Sequence, residues 1–171
     1  TIKIFYEDTV ANGIKVLPPD VNESDYRFVP TDAKTIRYGL GAVKGVGEPA
    51  VRAILAAREA GGPFKDLFDF ACRVDKRMAN RRVIEALIRA GGFDTIAPDQ
   101  PAERAKLMAS VGIAIEAAEQ IAANAMQSGL FDIPGEAAPA MADYVKVRPW
   151  GERERLKEEK LAIGFFLSGH P

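Results

Sequence analysis

Leu40-Gly41-Ala42-Val43-Lys44-Gly45-Val46-Gly47-Glu48-Pro49-Ala50-Val51-Arg52-Ala53-Ile54-Leu55 is the stretch on which the reading of this chain turns. Gly45 and Gly47 bracket one apolar residue, Val46, and Val43 stands two positions before the first glycine. Pro49 suits the first turn of a helix, where its fixed φ helps and its missing N–H is no loss. Val51, Ile54, Leu55 and Arg58 then recur with the period of one helix face. The pattern predicts a tight turn, anchored by apolar side chains, that feeds a helix. Glycines permit tight backbone dihedrals and carry no Cβ to block an approaching group. Bare amides at a helix N-terminus, where the dipole is positive, suit an anion. An ordinary Gly-rich turn is the alternative, and G-x-G alone does not separate the two. Val43, Val46 and the stripe behind them favour the anion-binding reading.

The spacing is that of a helix-hairpin-helix, a motif that holds duplex phosphates and reads no bases. The candidate DNA contacts are Lys44, Gly45, Val46 and Gly47, with Arg52 one turn into the helix. Arg81 and Arg82, with Arg77 before them, admit two readings. They are phosphate ligands, or, since Arg81/Glu85 and Glu85/Arg89 stand at i,i+4, decoration of a helix face. Charge is segregated around the motif. Residues 1–33 carry net −3, residues 34–92 net +6 and residues 93–171 net −4. A central basic block suits a polyanion, although clustering on solvated helix faces would look the same.

Outward from the motif the chain reads as mainly α with a small β-hairpin near the N-terminus. Ile2, Tyr6 and Val10 suit a short helix stopped by Asn12-Gly13, and Ile14–Leu17 a short strand ended by Pro18-Pro19. Tyr26–Val29 and Thr35–Tyr38 are β-prone runs joined by residues 30–34, which predicts the hairpin. The pattern turns helical after Gly41, and Gly61-Gly62 ends the motif's helix. Asp66 can cap a further helix with Leu67, Phe68, Ala71 and Val74 inward. Val83, Ile84, Leu87 and Ile88 mark another, ended by Gly91-Gly92. Residues 101 to about 126 predict a long Ala-rich helix with Leu107, Val111, Ile115 and Ala118 on one face. Residues 132–149, rich in Pro, Ala and Gly, read as a linker before a charged helix over residues 151–163. The expected organisation is a small α/β segment over 1–39 and a helical domain over 40–126 with the motif at 40–58. A linker region over 127–149 and a closing helical segment over 150–171 follow.

A second signal is Gln127-Ser128-Gly129-Leu130-Phe131, between the long helix and the linker. Leu130 and Phe131 are adjacent, bulky and outside any periodic stripe. Such a pair can fill a partner's apolar pocket while the Gln127 amide bonds at the rim. Folding back as a cap on the long helix is the other reading.

Composition narrows the function classes. Of 171 residues, 47% are apolar and 27% charged, as in a globular chain, and the net charge of −1 excludes a globally basic coat. One cysteine, Cys72, permits no intrachain disulfide and no cysteine-based zinc or iron–sulfur site. One histidine, His170, is too few for histidine triads or multi-histidine metal sites. No run approaches the ~20 apolar residues of a membrane span, and no secretory signal opens the chain. The expectation is a soluble protein of a reducing compartment, with no membrane partner. Asp66 and Asp69 are better explained by capping than by metal. Cys72 is expected in the core, and Trp150, after Pro149, is expected to anchor the last helix rather than to stack on a base.

Several stretches together resemble the bacterial DNA polymerase III alpha subunit family, in that family's order. They are the motif itself, Leu17-Pro18-Pro19-Asp20-Val21-Asn22, Asn80-Arg81-Arg82-Val83-Ile84-Glu85-Ala86-Leu87-Ile88, Gly92-Phe93-Asp94 and Leu161-Ala162-Ile163-Gly164-Phe165-Phe166-Leu167-Ser168-Gly169-His170-Pro171. The resemblance covers residues 11–171 and implies a piece of a larger bacterial, cytoplasmic replicase, from the end of the fingers through the clamp-binding portion. It implies that Lys44, Gly45, Val46 and Gly47 touch double-stranded DNA behind the active site. Gln127, Leu130 and Phe131 would dock on the ring-shaped sliding clamp. Ser128 stands where the family often has an apolar residue, which implies weaker docking. The parent chain would transfer nucleotidyl groups with two Mg²⁺ held by palm carboxylates outside this segment, and would meet the other holoenzyme subunits. No cofactor and no catalytic or metal-ligating residue is expected in the segment itself. The alternatives are a helix-hairpin-helix repair protein such as a glycosylase, and a structural helical adaptor. The lone cysteine excludes an iron–sulfur glycosylase, and a β-hairpin before the motif fits glycosylases poorly.

Overall fold

The computed structural model describes residues 2–128 and 143–164. Helix α1 (Ile2–Ala11) ends where the Asn12 side-chain amide donates to the Asp8 carbonyl at 2.8 Å. Strands β1 (Lys15–Leu17), β2 (Val29–Asp32) and β3 (Thr35–Arg37) form one sheet in the order β1-β3-β2. The expected hairpin is β2 with β3, antiparallel, and β1 adds a parallel strand on the other side of β3. The first arm starts at Val29, later than the β-prone run from Tyr26 suggested. The main chain there is engaged elsewhere: the Leu40 N–H bonds the Asp25 carbonyl and the Gly41 N–H bonds the Tyr26 carbonyl. Those groups brace the entry to the helical part and are lost to the ladder.

The helices are α2 (Glu48–Gly61), α3 (Leu67–Arg73), α4 (Arg81–Arg89), α5 (Arg104–Ser128) and α6 (Glu152–Ile163). Side-chain caps start two of them. Asp66 accepts from the Asp69 N–H at 2.7 Å, and Asn80 accepts from the Val83 N–H at 3.1 Å. The helical pattern after Gly41 amounts to one 3₁₀ turn, Leu40–Ala42, so the motif's first limb is shorter than its name. The long helix begins at Arg104, three residues after Pro101.

One apolar cluster takes in Val21 and Tyr38 from the N-terminal segment, Ile54, Phe70, Leu87 and Leu107 from the helices, and Ala162 and Ile163 from α6. Each fully buried Leu, Ile or Phe side chain contributes about 1.5–3 kcal/mol. The predicted inward residues of α4 are all buried, and on α3 Leu67, Phe68 and Val74 are buried with Ala71 partly so. Phe70 joins them, because Phe64 and Phe93 enclose α3 from both sides at ring distances of 4.8 and 4.9 Å. Cys72 is exposed, which corrects its expected place in the core. With Phe70 enclosed, Cys72 falls on the outward side of this short helix.

Residues 143–149, the end of the linker expected from the sequence, are fastened to the helices without regular structure of their own. Tyr144 packs edge-on against Phe68 at 4.8 Å, its hydroxyl accepts from the Leu67 N–H, and Ser110 Oγ accepts from the Val145 N–H at 2.9 Å. A buried ionic knot ties α6 in place. Arg104 forms a two-pronged pair with Asp94, Nε to Oδ1 at 3.0 Å and Nη2 to Oδ2 at 2.8 Å. Its Nη1 reaches Glu159 of α6 at 3.4 Å and the Arg89 carbonyl at 3.2 Å. Gly91 makes room for this knot: its φ is +91°, and a Cβ there would stand 2.6 Å from Arg104 Nη2.

Candidate nucleic-acid interface

The turn between the 3₁₀ segment and α2 alternates anchors with bare main chain. Val43 and Val46 are buried, while Lys44, Gly45, Gly47 and Glu48 are exposed. The Val46 N–H closes the turn on the Val43 carbonyl at 3.2 Å, and the Val51 N–H starts α2 on the Gly47 carbonyl at 3.1 Å. Among the described residues, no main-chain acceptor bonds the N–H groups of Gly45, Gly47 or Glu48. No side chain caps α2. Three N–H donors therefore face solvent at the positive end of a 14-residue helix.

The two glycines have different reasons. Gly45 has φ +89°, a conformation that resists any side chain. Gly47 has φ −81° and ψ 165°, ordinary extended backbone, and a Cβ there would meet only Pro49 Cδ at an unstrained 3.6 Å. The fold does not require glycine at 47. What a side chain there would obstruct is access to the free amides.

The structure sorts the candidate cations. The Lys44 N–H donates to the Ala162 carbonyl at 2.6 Å, so the turn is docked on the C-terminus of α6. Its ammonium lies beside Gly164, where it also offsets the negative end of the α6 dipole. Arg52 is held by Glu48 at 2.7 Å in an exposed i,i+4 pair. Glu48 itself, in the first turn of α2, competes with an incoming anion for the same dipole. An exposed pair of this kind is worth at most about 1 kcal/mol, so a phosphate can displace it. Arg81 pairs with Glu85 at 2.9 Å, and its guanidinium leans over Gly112 of α5, away from the turn. Arg82 is exposed, and none of its hydrogen bonds or ion pairs appears among the described residues. Ala86, one turn further along the same face of α4, is the residue that faces Gly45. The turn residues and Arg82 thus share one surface, while Arg52 and Arg81 are engaged in pairs. Sequence reasoning missed the part of α6. Nothing local to residues 40–58 signals a contact with Ala162.

Gln127 lies in the last turn of α5, one residue beyond the predicted end of that helix, and Leu130 and Phe131 lie outside the described residues. Among the described residues no three of His, Cys, Asp and Glu converge as a metal site. Among them, too, no helix is long and apolar enough to cross a membrane.

Comparison with known proteins agrees with this geometry. The family described as a helix-hairpin-helix motif matches residues 13–103. The DNA polymerase III subunit alpha of Neisseria meningitidis serogroup B is 53% identical over 170 residues, covering 99% of this chain. The proteins of the same name from Vibrio cholerae and Escherichia coli K12 are 46% and 43% identical over 162 residues, covering 93% of this chain. The chain spans 14% of the length of each of these three relatives.

Proposed function

From the premise that the chain belongs to the helix-hairpin-helix family, we propose that it is the duplex-DNA-binding and sliding-clamp-binding part of a bacterial replicative DNA polymerase, itself without catalytic residues. The observation that carries the DNA reading is Gly47: exposed, at the N-terminus of α2, and glycine where the fold would accept a side chain. The amides of Gly45, Gly47 and Glu48 hold phosphate oxygens, Lys44 and Arg82 add charge, and no base edge is read. The relatives' printed name favours the polymerase over the repair-glycosylase and adaptor readings. In the parent chain, nucleotidyl transfer with Mg²⁺ belongs to residues outside this segment, the other holoenzyme subunits are partners of the whole, and the compartment is the bacterial cytoplasm.

The test is duplex binding by the chain and by Gly47→Ala and Gly47→Val. Amide bonds to a charged oxygen are worth about 1.5–3 kcal/mol each, so screening one or two of them weakens binding on the order of tenfold or more. Unchanged duplex affinity in a normally folded Gly47→Val protein would sink the hairpin assignment.

Clamp binding rests on the resemblance and on an apolar pair placed after a long helix. Gln127 bonds at the pocket rim while Leu130 and Phe131 fill it, each contributing on the order of 1–3 kcal/mol. A Leu130→Ala, Phe131→Ala double variant should lose affinity for a bacterial sliding clamp at unchanged thermal stability, and Ser128→Leu should gain it. A double variant that binds the clamp as the parent does would end this reading. One that loses stability would return the pair to the core.

A further inference from the structure

We propose that the groove along α6 holds a single strand of DNA, with Trp150 stacked on a base and the stripe Arg153, Lys157 and Lys160 on its phosphates. This goes beyond the duplex grip of the hairpin and uses different residues. The stripe follows from helix geometry. Positions 153, 157 and 160 are i, i+4 and i+7 and share one face, while Leu156, Glu159, Ala162 and Ile163 are buried on another. With Arg148 and Trp150 the stripe lines one open groove, in which Glu154 is the single carboxylate. Four cations against one anion leave it strongly basic at the acidic end of the chain.

Several arginines elsewhere are neutralised: Arg89 with Glu158, Arg104 with Asp94 and Glu159, Arg73 with Asp69. Among the described residues no carboxylate pairs with Arg148, Arg153 or Lys157. Arg148, Arg153 and Lys157 around a half-buried indole match the two requirements of a single-strand site, a charged track for the backbone and an aromatic platform for bases. A duplex offers charge complementarity but keeps its base faces stacked inside, so the tryptophan selects the single strand. An acidic peptide would satisfy the cations and leave the ring without a partner. Position supports the pairing of functions. α6 is about 18 Å long, with Trp150 just before one end and the Lys44–Ala162 contact to the hairpin at the other. One rigid helix thus carries the groove and buttresses the duplex grip.

Trp150 is the only tryptophan, so its fluorescence reports binding at its own ring, and the charge reversals on α6 assign that binding to the groove. The 171-residue chain is titrated with oligo-dT, with a duplex of equal length and with polyglutamate, and labelled oligo-dT is followed by anisotropy. We expect saturable quenching by oligo-dT that falls as salt rises. Arg153→Glu and Lys157→Glu, both at exposed positions, should each weaken oligo-dT binding on the order of tenfold at unchanged thermal midpoint. Trp150→Ala should weaken it in the anisotropy arm. Gly47→Ala should leave oligo-dT quenching intact while duplex binding falls, which separates this site from the hairpin. No quenching by oligo-dT, equal affinity after charge reversal, or quenching by polyglutamate or duplex in its place would overturn the proposal.

Discussion

At the scale of single residues, environment overrides residue type. Tyr38 is fully buried in the core, its hydroxyl donating to the Ala42 carbonyl at 3.2 Å. Burial pushes its pKa up to about 12. The unfolded chain loses that proton near pH 10, earlier than the folded one, so the contribution is complete below pH 10 and lost as pH rises toward 12. Two units correspond to roughly 2–3 kcal/mol. Urea titrations at pH 8 and pH 11 should show Tyr38→Phe losing less stability on alkalinisation than the parent, and equal losses would contradict the burial argument. Cys72 is the opposite lesson. A small apolar residue in an apolar stretch reads as core, and it is exposed. Partial burial, then Asp69 and Asp66, still push its thiol up. Less thiolate at neutral pH means slower alkylation than for free cysteine, and Asp69→Asn should speed it. A rate equal to that of free cysteine at pH 7 would refute the assignment.

Among elements, what was legible was whatever a local rule governs. Asp66 caps as its position suggests, the α4 stripe is buried as its spacing suggests, and Gly45 takes the left-handed turn that the motif needs. Pairing across distance was not legible. β1 is three residues long and joins β3 in parallel through Lys15 and Thr35, a choice with no local signature. The Arg104 knot joins residues 94, 104 and 159, and each looks like a surface charge in sequence. Arg104→Ala removes a partner of both Asp94 and the fully buried Glu159 and should cost on the order of 3–5 kcal/mol, read as a shift in the urea midpoint. A loss below about 1 kcal/mol would mean the knot behaves as an exposed pair. Gly45→Ala should cost roughly 1–2 kcal/mol from its positive φ alone, whereas Gly47→Ala should stay within about 1 kcal/mol of the parent.

For the molecule as a whole, one core binds the N-terminal sheet, the helices and α6, and holds the hairpin against Ala162 as a fixed surface. The turn through Gly45, Val46 and Gly47 was legible because glycine spacing is a chain-local signal, but Val46, expected as a DNA contact, is buried with its N–H bonded to the Val43 carbonyl and anchors the turn instead. Which arginine stands beside the turn was not legible, since Arg81 and Arg82 are neighbours that α4 turns to different sides. A preformed turn with few phosphate contacts should bind duplex without sequence preference, at about 10⁻⁴–10⁻⁶ M, with affinity falling as salt rises. The most direct measurement of the central claim is a backbone amide NMR titration of the isotope-labelled chain with a short duplex of arbitrary sequence. The account predicts that the largest shift changes fall on the N–H groups of Gly45, Gly47 and Glu48, that Arg82 responds with them, and that a second duplex of different sequence gives the same map. Unmoved hairpin amides, with the changes centred on another surface, would contradict it.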